Sequence, residues 1–130
     1  MAGLFEPIEI NGMVLKNRSV RSATWTGMAE RDGRCSERLM AFMEELARGD
    51  VGLMITGFAY VLPNGQALPG QLGIYDDALI PALSELTKRI HDAGGKICMQ
   101  IVHAGAQTVL RETPERPVWG PSAVYNEVFR

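Results

Sequence analysis

The sequence predicts an α/β protein, the N-terminal portion of a TIM (β/α)8 barrel opened by a β-hairpin. Three observations carry that expectation. Strand-like apolar runs alternate with amphipathic helical ones, which implies parallel pairing through crossover helices. Long Gly-containing segments follow the strands, whereas only a few residues separate each helix from the next strand. Barrels carry their chemistry on such strand-to-helix loops. An open doubly wound sheet would also satisfy the alternation, but no G-x-G-x-x-G follows any strand, which disfavours a dinucleotide site of that kind. A complete barrel takes about 250 residues. The sequence has 130 and shows three strands, so residues 1–130 are expected to form one incomplete barrel domain ending in a loop at Arg130.

The elements follow in order. Ile8-Glu9-Ile10 alternates in polarity, Asn11-Gly12 follows, and Val14-Leu15 resumes. Asn-Gly between apolar runs fits a tight hairpin turn, because both residues take positive φ cheaply. Residues 19–23 form a short strand, and residues 26–35 are a polar loop rich in Gly, Arg and Asp. Ser36 is a good N-cap, Leu39, Phe42, Met43 and Leu46 recur at helical spacing, and Gly49 ends the run. Residues 51–56 are apolar without alternation, the pattern of a parallel strand covered on both faces. Residues 57–75 read as a long loop. Asp76 or Asp77 caps a second helix whose stripe is Leu79, Ile80, Leu83, Leu86 and Ile90, closed by Gly94-Gly95. Residues 96–102 give the third strand, and the chain is loop-like from His103 onward.

Composition narrows the function. An apolar fraction of 46% beside 22% charged residues is that of an ordinary soluble domain. A formal net charge of −2 removes the electrostatic case for nucleic acid or an anionic membrane as partner. No apolar stretch approaches the roughly 20 residues of a membrane span, and the N-terminus lacks the pattern of a secretory signal. Cys35 and Cys98 make neither a disulfide framework nor a metal spacing, so both are expected as reduced thiols in a cytoplasmic protein.

Gln100 is the most informative residue, an amide inside the apolar run Ile97-Cys98-Met99-Gln100-Ile101-Val102. A buried amide without partners costs about 1–3 kcal/mol, so it should bond either backbone or a ligand. His103, at the strand's end, fits a loop-capping role better than a catalytic one, and His91 fits a helix surface. Trp25, at the end of the first strand, reads as rim packing. Gly57 would allow close approach of a ligand or another backbone, and residues 31–38 read as a solvated face of mixed charge. No Ser/His/Asp set, P-loop, metal cluster or carboxylate pair can be assembled.

Several motifs in order complete the reading. Leu4-Phe5-Glu6-Pro7-Ile8 and Leu15-Lys16-Asn17-Arg18 open the chain, and Val51-Gly52-Leu53-Met54-Ile55-Thr56-Gly57 follows. Gly94-Gly95-Lys96-Ile97 then leads to Gln100-Ile101-Val102-His103-Ala104-Gly105, with Gly120-Pro121-Ser122-Ala123 behind it. Together they resemble the Old Yellow Enzyme and 2,4-dienoyl-CoA reductase type of NADH:flavin oxidoreductase. The resemblance implies a barrel whose base is plugged by the hairpin, with FMN bound non-covalently at the C-terminal mouth. The flavin would take hydride from NADH or NADPH and pass it to an activated alkene. It implies Gln100 at the flavin pyrimidine ring, Ala23 and Thr24 with their backbone along the isoalloxazine, Trp25 where relatives carry a small or polar residue, and Phe58 at another backbone contact. Ala106 stands where an arginine is frequent, and Gly27 near a substrate-facing tyrosine of some relatives. The catalytic and phosphate-binding residues of the family belong to later strands. The chain is therefore expected to be inactive alone and oligomeric. The alternative is a non-catalytic flavin-binding or assembly module built from a partial barrel.

Overall fold

The structure is a computed structural model that describes residues 3–123, 125 and 127; the expected loop end at Arg130 lies outside them. The hairpin forms as expected: β1 (Ile8–Ile10) pairs antiparallel with β2 (Met13–Leu15). Its turn residues have φ of 47° at Asn11 and 85° at Gly12, the signs that a two-residue hairpin turn requires. Next come β3 (Val20–Arg21), α1 (Glu37–Arg48), β4 (Leu53–Ile55), β5 (Ala59–Tyr60), α2 (Ile80–Asp92), β6 (Ile97–Cys98) and β7 (Ile101–Val102). The strands β3, β4 and β6 form one parallel sheet in that order, the arrangement that the alternation of strands and helices predicts.

The first helix begins where its sequence says, whereas α2 starts at Ile80, behind a 3₁₀ turn and with no side-chain cap of its own. The Ser36 hydroxyl accepts from the Leu39 N–H at 3.1 Å. Asp76, rather than Asp77, caps the second segment, accepting from the Ala78 N–H at 2.8 Å ahead of a 3₁₀ turn over Asp77–Leu79. The left-handed residue after α1 is Asp50, with φ of 65°, not Gly49. The Asp50 carboxylate takes the Lys16 ammonium at 2.7 Å, and its carbonyl takes the Asn17 amide at 2.6 Å, so the hairpin is tied to the end of α1.

The core lies between the sheet and the two helices. Met54 of β4 is fully buried against Met43 and Ala47 of α1 and Leu86 and Ile90 of α2, and Ile97 and Met99 pack onto the same cluster. Cys35 belongs to this core, and burial pushes its thiol up to about 12, so it stays protonated and unreactive.

Three expectations are corrected. The continuous apolar run of β4 predicted a strand covered on both faces, yet only the helix side is sealed. On the other side Val20 is 51% exposed, and Cys98 and Gln100 are exposed as well. The third strand is not continuous over residues 96–102 but breaks into β6 and β7. The loop expected over residues 57–75 contains β5, which pairs parallel with β7, and a 3₁₀ turn over Pro63–Gly65. The two breaks face each other, and one local event explains both.

Candidate functional site

That event is a bulge. Before the break, partners on β4 and β6 are offset by 43 residues, as in Met54 with Ile97; after it, partners on β5 and β7 are offset by 42, as in Ala59 with Ile101. One extra residue therefore sits between Thr56 and Ala59. The ladder confirms it, since the Thr56 N–H donates to the Cys98 carbonyl at 3.0 Å and the Ala59 N–H to the Gln100 carbonyl at 2.8 Å. Acceptors two residues apart are met by donors three apart. The N–H groups of Gly57 and Phe58 are left without a backbone partner among the described residues. Extra residues of this kind re-aim the chain and are over-represented beside active sites.

Neighbouring strand ends close around the bulge. A Cβ on Gly57 would stand 2.8 Å from the Thr24 carbonyl oxygen. Only glycine lets the two chains approach so closely. The Gln100 N–H points to the buried Thr56 hydroxyl at 3.4 Å. Ala23, Thr24, Trp25, Phe58 and Gln100 thus gather at the C-terminal ends of adjacent parallel strands. Ala23 and Phe58 are half-buried, and Thr24, Trp25 and Gln100 are exposed. The expected burial of the Gln100 amide is corrected: its side chain stands on the sheet face away from the helices, because the alternate residues Ile97 and Met99 fill the core.

The loops beyond the strands are bound to one another. The Trp25 indole N–H donates to the Pro69 carbonyl at 3.2 Å, so this ring is rim packing with its polar handle engaged. The Ala29 N–H reaches the Gly70 carbonyl at 3.0 Å. The Thr108 hydroxyl lies 2.8 Å from the Gln66 carbonyl, and the Ala104 N–H donates to the Gly65 carbonyl at 2.9 Å. His103 plays the capping part expected of it: its Nδ1 accepts from the Gly105 N–H at 3.0 Å, and its ring stacks with Trp119. His91 is exposed on α2.

Arg21 and Gln71 were not singled out by sequence reasoning. Arg21 reaches under the strand ends, donating to the Ile55 carbonyl at 3.0 Å with its guanidinium 5.5 Å from the Phe42 ring centroid. Burial lowers its pKa, and an arginine remains a cation all the same. Gln71 is 1% exposed, its amide bonded to Ala67 and Leu68 within its loop and to Phe58 at the bulge. An Arg in an apolar strand was a visible anomaly; a Gln between Gly70 and Leu72 was not.

Two spaces adjoin the bulge. One, of about 20 Å³, lies behind the strand ends among Arg21, Thr56, Phe58, Gln71 and Leu86, room for about one water. The other is an open, mostly apolar cleft of about 410 Å³ on the far side of Phe58, lined by Ala67, Leu68, Val102, His103, Ala104 and Gln107. Its size is that of a small-molecule site.

Backbone donors, an amide and an apolar cleft at the C-terminal edge of a parallel sheet stand where α/β barrels and open α/β sheets bind ligands. A family model described as the NADH:flavin oxidoreductase / NADH oxidase family matches residues 3–128, and the chain belongs to that family. It is a family of enzymes that bind FMN and draw on NADH or NADPH. The chain is 36% identical over 124 residues to the "Probable NADH-dependent flavin oxidoreductase YqiG" of Bacillus subtilis (strain 168), covering 95% of this chain and 33% of the relative. The old yellow enzyme homologue of Zymomonas mobilis superposes with a TM-score of 0.73 at 31% identity, over 82% of this chain and 30% of that one. Old Yellow Enzyme from Pichia sp. AKU4542 gives a TM-score of 0.76 at 26% identity, over 81% and 27%. These neighbours are barrels, and the chain spans about a third of their length or less.

Proposed function

We propose that this chain forms the front part of an FMN-binding barrel in an NAD(P)H-dependent oxidoreductase of small activated alkenes, and that Ala23, Thr24, Trp25, Phe58 and Gln100 hold the flavin. The observation that carries the reading is the bulge: two adjacent backbone donors without a backbone partner among the described residues, at the C-terminal edge of a parallel sheet and beside an outward-facing amide. A planar ring with mixed carbonyl and N–H edges fits that set. Bound there, FMN would supply hydride transfer from the nicotinamide to the alkene.

The chain's own residues bind and orient. Gln100 offers a donor and an acceptor together. Gly57 and Phe58 offer N–H groups, and Gly57 keeps Thr24 close enough for its backbone to share the same ligand. Trp25 gives packing only, since its N–H is spent on Pro69. The five residues are uncharged, so the phosphate must be held elsewhere, as the last βα loops of barrels do.

A second reading, a partial-barrel module that assembles with another chain, is favoured by the uncovered sheet face at Val20 and Gln100. Titration of FMN into the purified protein, followed by quenching of flavin fluorescence, tests both. Binding of FMN by the chain supports its place at the flavin. Bleaching with NADH or NADPH and reoxidation by an enone in the full barrel that the chain opens supports the oxidoreductase. Flavin binding without turnover even there supports the module, and no binding rejects both.

A further inference from the structure

Gln71 lies in the loop between β5 and α2, 13 residues from Phe58 in sequence. Its amide is buried to 1% exposure and makes three hydrogen bonds. The Oε1 accepts from the Ala67 N–H at 2.7 Å and the Leu68 N–H at 3.2 Å, and the Nε2 donates to the Phe58 carbonyl at 3.0 Å. The chain leaves the sheet after Tyr60 and returns beside it, the Tyr60 N–H donating to Leu72 and the Ile74 N–H to Tyr60. Gln71 stands at that neck. One end of its amide closes the loop, and the other grips the bulge.

These two ends do different work. Ala67 and Leu68 line the open cleft, so the acceptor end shapes its wall. Phe58 is the extra stretch of the ladder, and its N–H has no backbone partner among the described residues. The peptide planes of a bulge are not fixed by neighbouring strands in the usual way. The Gln71 donor supplies what the ladder lacks, holding the Phe58 carbonyl back toward the loop. We infer that Gln71 is a positioning residue for the flavin: through Nε2 it sets the orientation of the Phe58 backbone at the flavin edge, without touching the flavin itself. The inference rests on the flavin-binding reading above.

Gln71→Glu separates the two ends. A carboxylate still accepts from Ala67 and Leu68 but has no N–H for Phe58, and it sets an oxygen against the Phe58 carbonyl. Gln71→Met loses both ends. The measurements are FMN affinity by fluorescence quenching and the reduction potential of the bound flavin, with thermal unfolding of the FMN-free protein as the fold control. The expected result is that Gln71→Glu folds, binds FMN more weakly by on the order of tenfold, about one hydrogen bond's worth, and shifts the potential, with Gln71→Met at least as impaired. A Gln71→Glu protein with wild-type affinity and potential overturns the inference, because closing the loop would then suffice. One that fails to fold overturns it too, because the amide would then be a fold determinant only. If the unaltered protein binds no FMN, the flavin-binding reading falls first and takes this inference with it.

Discussion

Gln100, its amide expected to be buried and bonded within the apolar strand, is exposed instead. Its backbone serves the ladder, while its side chain stands on the uncovered face. Removing that side chain should therefore cost the fold little. For Gln100→Leu we expect unfolding free energy within about 0.5 kcal/mol of the unaltered protein, as for a surface change, together with weaker FMN binding or a shifted flavin potential. Unchanged affinity and potential would reject the role. Gln100 was legible in the sequence because polarity in an apolar run is a local signal. The partner of Gln71 was not, since nothing near residue 71 announces that its amide will be spent on Phe58.

At the scale of elements, the helices were the most legible. Their stripes recur at helical spacing, Ser36 caps α1, and Asp76 caps the 3₁₀ turn that leads into α2. What joins the helices was hidden: the Arg89 guanidinium grips both Glu37 carboxylate oxygens, the longer contact 2.9 Å, and also bonds Glu85 within α2 at 2.9 Å. Hydrogen bonding to Arg89 holds the Glu37 carboxyl below the usual carboxylate range. A depressed carboxylate stabilises the fold above the unfolded-state pKa and loses that contribution as pH falls through the folded-state value. Glu37→Gln should accordingly lower stability at neutral pH, and the difference should close in strong acid. Denaturant melts at a series of pH values would reveal it, and a gap that is constant or widens toward acid would refute the assignment. The broken third strand was illegible for another reason: one extra residue at Gly57–Phe58 is a relation between two chain segments, and neither segment carries a mark of it alone.

For the whole molecule, the feature that matters is the asymmetry of the sheet. Helices seal one side, and the other leaves Val20 exposed, with the edges of β3 and β6 unpaired among the described residues. Unpaired edges recruit other chains. We expect the 130-residue protein to be oligomeric in solution and to give no multiple turnovers with FMN, NADPH and cyclohexenone. Light scattering coupled to size exclusion reads the first and NADPH oxidation the second. A monodisperse monomer that turns over repeatedly would refute both. The parallel order β3-β4-β6 was legible from alternation alone, whereas the bare face was not, because an apolar run says only that a strand needs cover, not which segment provides it.

The bulge also governs how the second strand can be rewritten. Side chains on a strand alternate with period two, so a one-residue slip exchanges the faces. Upstream, the even-numbered Met54 faces the helices; downstream, the odd-numbered Ala59 belongs to the same core. Residues 53–60 therefore obey two reading frames joined at Gly57–Phe58. A polar-apolar pattern carried unbroken from one end to the other would satisfy whichever half it was written for and place charges in the core along the other, at Met54 or at Ala59.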